Sequence, residues 1–415
     1  MRDKVTRILG YGIAVSDDLR NTGYKNLNTL IIGTTGSGKT RSFVIPNILA
    51  AEGSIVVTDT KGDLYDKLRG RLEAKGYRVL CIDFTDCENT PVGYNPLDFV
   101  RVRDDQPDDQ ALMSISAALC PLESHEPFWD YSARALLSSI LGYVMYYLPK
   151  EEWNLVTVCK LMDTVTDGRF EKLVDEVAED DPVAFVVSQF APMQSSKEAD
   201  KMAASVRRIA QERLNVYRFA GATRLFTMEN RIRFADLRRE KTALFLNVSD
   251  TDRSLDRLVA LFYEQMFREL IWDYKKNPDG LSVHAIMDDF ACDCPITGFP
   301  NTISVCRSRN IFCSIIIQSI AQLETLYQTA ACTICDNCDS VLFLGSNDPK
   351  TAQWIGERVN QPAHSILTMP VEEALLVQRG AKARKIKRYT LESAYDKDCA
   401  EQVENNDPQI PEPGI

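Results

Sequence analysis

Short runs of branched apolar residues alternate with amphipathic stretches through the first hundred positions. The runs lie at 28–32, at 54–58 (SIVVT) and at 78–82 (RVLCI). Continuous runs of this kind suit parallel strands buried on both faces; half-exposed strands would alternate apolar with polar. Residues 41–51 and 64–75 have the length and polarity of crossover helices. The spacing therefore predicts βαβ units, with Asp59 and Asp83 just past the second and third strands. The pattern changes after Pro96. From about 111 to 216 no strand cluster stands out, and apolar residues recur with helical period. Ala135, Leu136, Ile140, Val144 and Leu148 share one face, and Met202, Val206, Ile209 and Leu214 form a second stripe. A helical insertion is expected there. Strand runs return at 243–248 (ALFLNV), 283–287 (VHAIM), 311–317 (IFCSIII) and 341–344 (VLFL). The expected fold is α/β, a mostly parallel, doubly wound sheet interrupted by an inserted all-α domain.

Composition narrows the class without changing the picture. Of 415 residues, 45% are apolar and 26% charged, with 20 Gly and 18 Pro. That is globular usage and excludes a collagen, a coiled coil or a wholly disordered chain. The net charge of −11 excludes a surface coated in basic residues, though not a local basic channel. The N-terminus lacks the apolar core of a signal peptide. The longest apolar stretch, 135–148, is shorter than the roughly 20 residues a membrane span needs. A soluble chain with a buried helix there is expected. Twelve cysteines are scattered as in a reduced, cytosolic protein. Cys292-x-Cys294 and Cys332-x2-Cys335-x2-Cys338 are spaced like metal ligands, but His125, His284 and His364 do not complete a four-ligand set. Packing cysteines are the preferred reading.

The strongest chemical signal is Gly33-Thr34-Thr35-Gly36-Ser37-Gly38-Lys39-Thr40, which matches G-x-x-x-x-G-K-[ST] between an expected strand and an expected helix. Glycines let the backbone wrap phosphates, and loop amides with the helix N-terminus supply partial positive charge. Lys39 is placed to reach the β- and γ-phosphates, and the Thr40 hydroxyl to bind Mg2+. ATP and Mg2+ are the expected cofactors. Such a loop needs an acid at the tip of a neighbouring strand. Asp288 and Asp289 follow the run at 283–287. Asp288 takes the magnesium-holding role, and Asp289 orients or deprotonates the attacking water. Gln318, after the run at 311–317, either senses the γ-phosphate or caps its strand. Arg307 and Arg309 are either trans arginine fingers or solvated loop residues. Asp59-Thr60-Lys61-Gly62-Asp63 sits at a strand tip, on the nucleotide side or merely as a polar loop. No N-K-x-D guanine motif accompanies the loop, which disfavours a small GTPase.

Several motifs occur in a fixed order: GTTGSGKT, VVTDTKGDLYDKL, YNPLD, EPFWDYSARALL, DDFA, RSR with SIIIQS, and NCDSVLFLG. Together they resemble the type IV coupling proteins of conjugation and type IV secretion (TraG/TraD-like), over about residues 24–390. The resemblance implies a RecA-like P-loop ATPase with an all-α domain inserted in the nucleotide-binding fold. It implies a homo-hexameric ring at the cytoplasmic base of a secretion channel, at the inner face of the cell membrane. The ring would receive a relaxase with single-stranded DNA, or protein substrates, and drive their transfer by ATP hydrolysis. By motif position, 33–40 binds phosphates, Asp288 the magnesium, Arg307 acts in trans and Gln318 is the sensor. Trp129 falls in the all-α domain, where substrate recognition is expected. The layout expected is a first nucleotide-binding half at 1–100, the all-α domain at 101–235, a second nucleotide-binding half at 236–395 and an acidic, disordered tail at 396–415.

Two departures from the family pattern matter. Members usually carry Asp-Glu-Phe-Ala where this chain has Asp288-Asp289-Phe290-Ala291. A displacement of about 1 Å in a water-activating group can cost on the order of a hundredfold in rate. Members also usually carry N-terminal transmembrane helices, which this sequence lacks, so either a shortened chain or a separate membrane partner is implied. The densest basic run, Lys382 to Arg388, alternates like a late edge strand; it is either solvated or in contact with phosphate or acidic lipid. Three functions remain open: a substrate-transfer motor, an ATP-binding docking receptor that hardly hydrolyses, and a cytosolic DNA pump outside conjugation.

Overall fold

The computed structural model describes residues 6–16, 26–122, 126–195, 200–290 and 294–390. His125, Ala291, Cys292 and the tail at 396–415 lie outside the described residues. The chain divides into two compact units. The first comprises Met1–Leu80, Arg233–Asn247 and Leu270–Ile415; the second comprises Cys81–Ile232 and Val248–Glu269.

In chain order the strands are β1 (Thr6–Gly10), β2 (Ile13–Ser16), β3 (Thr29–Ile32), β4 (Ser54–Asp59), β5 (Arg78–Asp83), β6 (Val102–Arg103) and β7 (Gln106–Pro107). They continue as β8 (Thr242–Asn247), β9 (Val283–Met287), β10 (Ile311–Ile317), β11 (Ser340–Phe343), β12 (Glu373–Gln378) and β13 (Arg384–Lys387). Nine of them form one sheet in the order β13-β12-β11-β3-β10-β9-β4-β8-β5. The run from β11 to β8 is parallel. β12 and β13 close one edge antiparallel. Every residue of β3, β4, β8, β9, β10 and β11 is buried, which is why these segments read as unbroken apolar runs. The α/β expectation therefore holds. Parallel strands share one direction, so the tips of β3, β4, β9 and β10 all emerge at one edge of the sheet. The expected helix at 64–75 appears as Leu64–Ala74, burying Leu64, Leu68 and Leu72 at a spacing of four.

The second unit is built mainly from helices. Its longest element wholly inside the unit is Pro127–Tyr147. Leu136, Ile140 and Val144 are buried as the periodicity required, and Leu137, Leu141 and Met145 are buried as well. This helix is therefore apolar nearly all round, as a central helix should be. Gly142 lets the helix Phe185–Ser195 come close; a Cβ there would stand 2.8 Å from the Phe185 ring. On the helix Asp200–Asn215 the buried stripe is Ala203, Val206, Ala210 and Leu214, so it runs through the alanines and not through Met202 and Ile209, which are half-buried. The YNPLD motif is a polar knot inside this unit. Tyr94 donates to Gln265 Oε1 (2.7 Å), Asn95 to Trp153 O (2.7 Å), and Arg231 pairs with Asp98 (2.5 Å).

The periodicity gave no hint of the antiparallel pair β1–β2. Its Arg7 is buried in the first unit, at the opposite end of the sheet from the strand tips. Arg7 Nη1 donates to His284 Nδ1 (2.5 Å), and His284 Nε2 lies 2.8 Å from Ser314 Oγ. A guanidinium can only donate, so His284 is neutral and carries its proton on Nε2. Burial, with Arg7 beside it, holds this imidazole well below its usual range. The unfolded chain therefore takes up the proton first as pH falls. The stability contribution is complete above about pH 6.5 and declines below it. The melting temperature of wild type is expected to fall from pH 7.5 to 5.5 more steeply than that of His284→Gln, which keeps an acceptor for Arg7. Parallel slopes in a thermal scan would contradict this reading of His284.

Candidate functional site

The loop 33–40 leaves β3 pinned on both sides. Gly33 N–H donates to Ile317 O (3.1 Å) at the tip of β10, and Thr34 N–H to Gly345 O (3.2 Å) beyond β11. Gly33 has no room for a side chain: a Cβ would stand 2.4 Å from Ser37 Oγ. Gly36 and Gly38 adopt left-handed backbone, with φ +79° and +81°. Lys39 is buried, and its ammonium donates to Gly33 O (2.8 Å) and Thr34 O (3.3 Å). The helix expected at 41–51 begins as a widened turn, Thr40–Val44, and continues as Ile45–Leu49. The Ser37 hydroxyl is buried with no hydrogen-bond partner among the described residues.

The acids arrive from two other strand tips. Asp288 follows β9 and Asp59 ends β4; the pairing of Val57 with Ile286 sets them side by side. Asp288 Oδ1 accepts the Asp289 N–H (3.0 Å). Burial, then the Asp289 carboxylate, pushes the Asp288 carboxyl up to about 6, while the Lys39 ammonium draws it down. Burial also raises Asp59, whose oxygens accept the N–H groups of Lys61 (3.1 Å) and Leu64 (2.7 Å). Asp289 sits in left-handed backbone at φ +47°, a conformation that aspartate tolerates better than most residues. Gln318 Nε2 donates to Asp289 Oδ1 (3.3 Å).

The strand order alters one expectation. β9 is not beside β3; β10 lies between them. Neighbouring strands are about 4.8 Å apart, so the gap between the β3 and β9 tips is about 10 Å, and Gln318 projects from the strand that fills it. The structure thus brings together Gly33–Thr40, Asp59, Asp288, Asp289 and Gln318. It does not bring Arg307 or Arg309 to this loop. Both lie in the turn Arg307–Arg309 before β10, and the seven residues of that strand span about 20 Å. Arg309 lies over the Tyr274 ring instead, 5.9 Å from its centroid.

In the second unit, Trp129 Nε1 donates to Glu126 Oε2 (3.0 Å) beside exposed Phe128 and Tyr131. Cys335 and Cys338 are buried and Cys332 is exposed. Among the described residues no group of three or more His, Cys, Asp or Glu is arranged to hold a metal. Nor is any described helix long and apolar enough to cross a membrane. The basic run splits. Arg384, Lys385 and Lys387 lie on the exposed edge strand, whereas Arg388 turns towards the glycine loop and donates to Ser37 O (2.5 Å). Nothing in the alternation of that run separates Arg388 from its neighbours.

A family model, Type IV secretory system Conjugative DNA transfer, matches residues 12–363. The chain belongs to this family. Its motif order is thereby explained as a family pattern. Protein VirD4 of Rhizobium radiobacter is 24% identical over 353 residues, covering 80% of this chain and 48% of that relative. The chain thus spans about half the length of the VirD4 relatives it matches. Among solved structures, the bacterial conjugative coupling protein TrwBdeltaN70 in complex with sulphate superposes with a TM-score of 0.69 at 16% identity, over 93% of this chain and 90% of that one. Plasmid coupling protein TrwB in complex with ADP and Mg2+ gives 0.68 at 15% identity, over 94% and 90%. The fold of this family member is the RecA-like P-loop fold anticipated from the motifs.

A carboxyl raised by burial among like charges destabilises the folded chain at neutral pH. The linked stability is complete below about pH 4 and is lost as pH rises through about 6. Asp288→Asn is therefore expected to stabilise the ligand-free protein at pH 7.5 by roughly 1–3 kcal/mol, since each tenfold weakening of proton release is worth about 1.36 kcal/mol. The gain should shrink towards pH 5. Thermal unfolding at the two pH values checks this; a destabilised Asp288→Asn would contradict it.

Proposed function

We propose that this chain is the ATP-driven motor part of a type IV coupling protein. One observation carries the reading: a buried lysine on a glycine loop lies within electrostatic reach of a half-buried aspartate two strands away. The residues fit a magnesium triphosphate. Gly33, Gly36 and Gly38 leave bare backbone at three positions of the loop to meet phosphate oxygens. Gly33 to Lys39 hold the phosphates, and Thr40 and Asp288 hold the Mg2+. Bound there, Mg–ATP supplies the phosphoanhydride bond whose cleavage drives the motor. Asp289 orients or deprotonates the attacking water, and Gln318 steadies Asp289 through its hydrogen bond. Arg307 stands at the far end of β10, so the reading assigns it to the loop of a neighbouring subunit in a homo-hexamer.

The work done is transfer of single-stranded DNA with its relaxase, or of protein substrates, into a type IV secretion channel at the cytoplasmic face of the membrane. The family match and the names of VirD4 and TrwB support this. Helical residues such as Trp129 are assigned to substrate recognition. Aspartate at 289 favours a second reading, an ATP-loaded docking receptor with little turnover, because its carboxyl reaches one methylene less far than glutamate.

Steady-state ATPase with single-stranded DNA separates the two. Lys39→Ala is expected to lose at least about a hundredfold, the scale of removing a preorganised charge donor. Wild type no faster than Lys39→Ala would eliminate the motor. A rise of more than about tenfold in Asp289→Glu would favour the receptor as the native state.

A further inference from the structure

We propose that Arg388 is a positioning residue that holds the phosphate loop in its binding conformation; this rests on the nucleotide-binding reading above. Arg388 follows the edge strand β13, and its main-chain N–H still donates to Glu372 O (3.2 Å). Its side chain then leaves the edge. Three guanidinium nitrogens donate to three main-chain carbonyls from three segments. Nε reaches Glu373 O (2.9 Å) at the start of β12. Nη2 reaches Leu344 O (2.6 Å) just past β11. Nη1 reaches Ser37 O (2.5 Å) in the middle of the phosphate loop. The neighbouring basic residues behave differently: Lys385 pairs with Glu373 on the surface (3.2 Å), and Arg384 donates to Gln378 Oε1 (3.2 Å). Burial pulls the pKa of the Arg388 guanidinium down from its usual value, with Glu372 opposing, so the cation is held among carbonyl dipoles at some expense in hydration.

The position of Ser37 O makes this contact consequential. Ser37 lies between the two left-handed glycines, Gly36 and Gly38, the softest part of the backbone. A trans peptide is planar, so its C=O and the following N–H point in opposite directions. Fixing Ser37 O on Arg388 therefore turns the Gly38 N–H to the opposite side of the loop. The cation also polarises that peptide and strengthens its N–H as a donor. Leu344, the other anchor, donates its own N–H to Ile32 O (2.7 Å), so the clamp ties the loop to the very end of β3. A lysine has one point charge and no planar fork, and cannot span three carbonyls in this geometry.

Isothermal titration with Mg–ADP and steady-state kinetics with Mg–ATP test the assignment, with the thermal midpoint of each ligand-free variant measured alongside. Arg388→Ala is expected to raise both the Kd for Mg–ADP and the KM for Mg–ATP roughly tenfold, the loss of one charge-assisted anchor. Its kcat should stay within about threefold, because the loop grips ground and transition states alike. Arg388→Lys should fall between, and Lys387→Ala, on the exposed edge strand, should match wild type. Arg388→Ala with wild-type Kd overturns the proposal. So does a Kd change that merely tracks the fraction unfolded. If wild type and Lys39→Ala both take up no Mg–ADP, the nucleotide reading itself falls, and the role of Arg388 with it. If only Lys39→Ala fails to bind and Arg388→Ala binds normally, the role of Arg388 alone is lost.

Discussion

The site depends on holding one ammonium and three carboxylates at one edge of a dry sheet. Lys39, Asp59, Asp288 and Asp289 come from three strand tips, and the charge of each bears on the next. Nothing apolar would gather them. They are gathered because a parallel sheet points all its carboxyl ends the same way, and because the strands beneath them are buried on both faces. The apolar core supplies the stability, and the polar edge draws on it. The raised Asp288 carboxyl records the tension: burial and two neighbouring acids oppose its charge, and Lys39 only partly offsets them.

Several departures from local preference gather around the glycine loop, although others lie elsewhere in the chain, such as the positive φ of Asp104, Asp105 and Asn360. Gly36, Gly38 and Asp289 all have positive φ, the Ser37 hydroxyl is buried without a partner, and the helix after the loop opens as a widened turn. Such conflicts between local preference and global fold concentrate where a protein binds or reacts. At the other end of the sheet Arg7 is buried with Nη1 on His284, while its Nε and Nη2 find no hydrogen-bond partner among the described residues. His284 gives up its charge so that Arg7 can keep one.

Much of this was legible along the chain. The glycine loop is eight consecutive residues, so its motif is written locally. Asp288 and Gln318 were readable because each follows an unbroken apolar run, and the end of a parallel strand is where polar chemistry emerges. The helical region was readable from its period, although on the helix at 200–215 the buried face runs through alanines, which a search for large apolar residues passes over. The partner of Arg7 was not legible, since it lies 277 positions away and nothing in either local segment calls for the other.

Local pattern alone marked the buried parallel strands, most helices, the glycine loop and the residues at strand tips, though not the pair β1–β2, because backbone preference and burial on two faces act over a few residues at a time. The order of the strands came from the assembled sheet, and with it the insertion of β10 and Gln318 between Lys39 and Asp288. It likewise placed Arg307 far from the loop of its own chain and carried Arg388 351 positions back to Ser37. Strand pairing and side-chain reach are settled by packing across the whole core, and short-range sequence pattern carries no information about them.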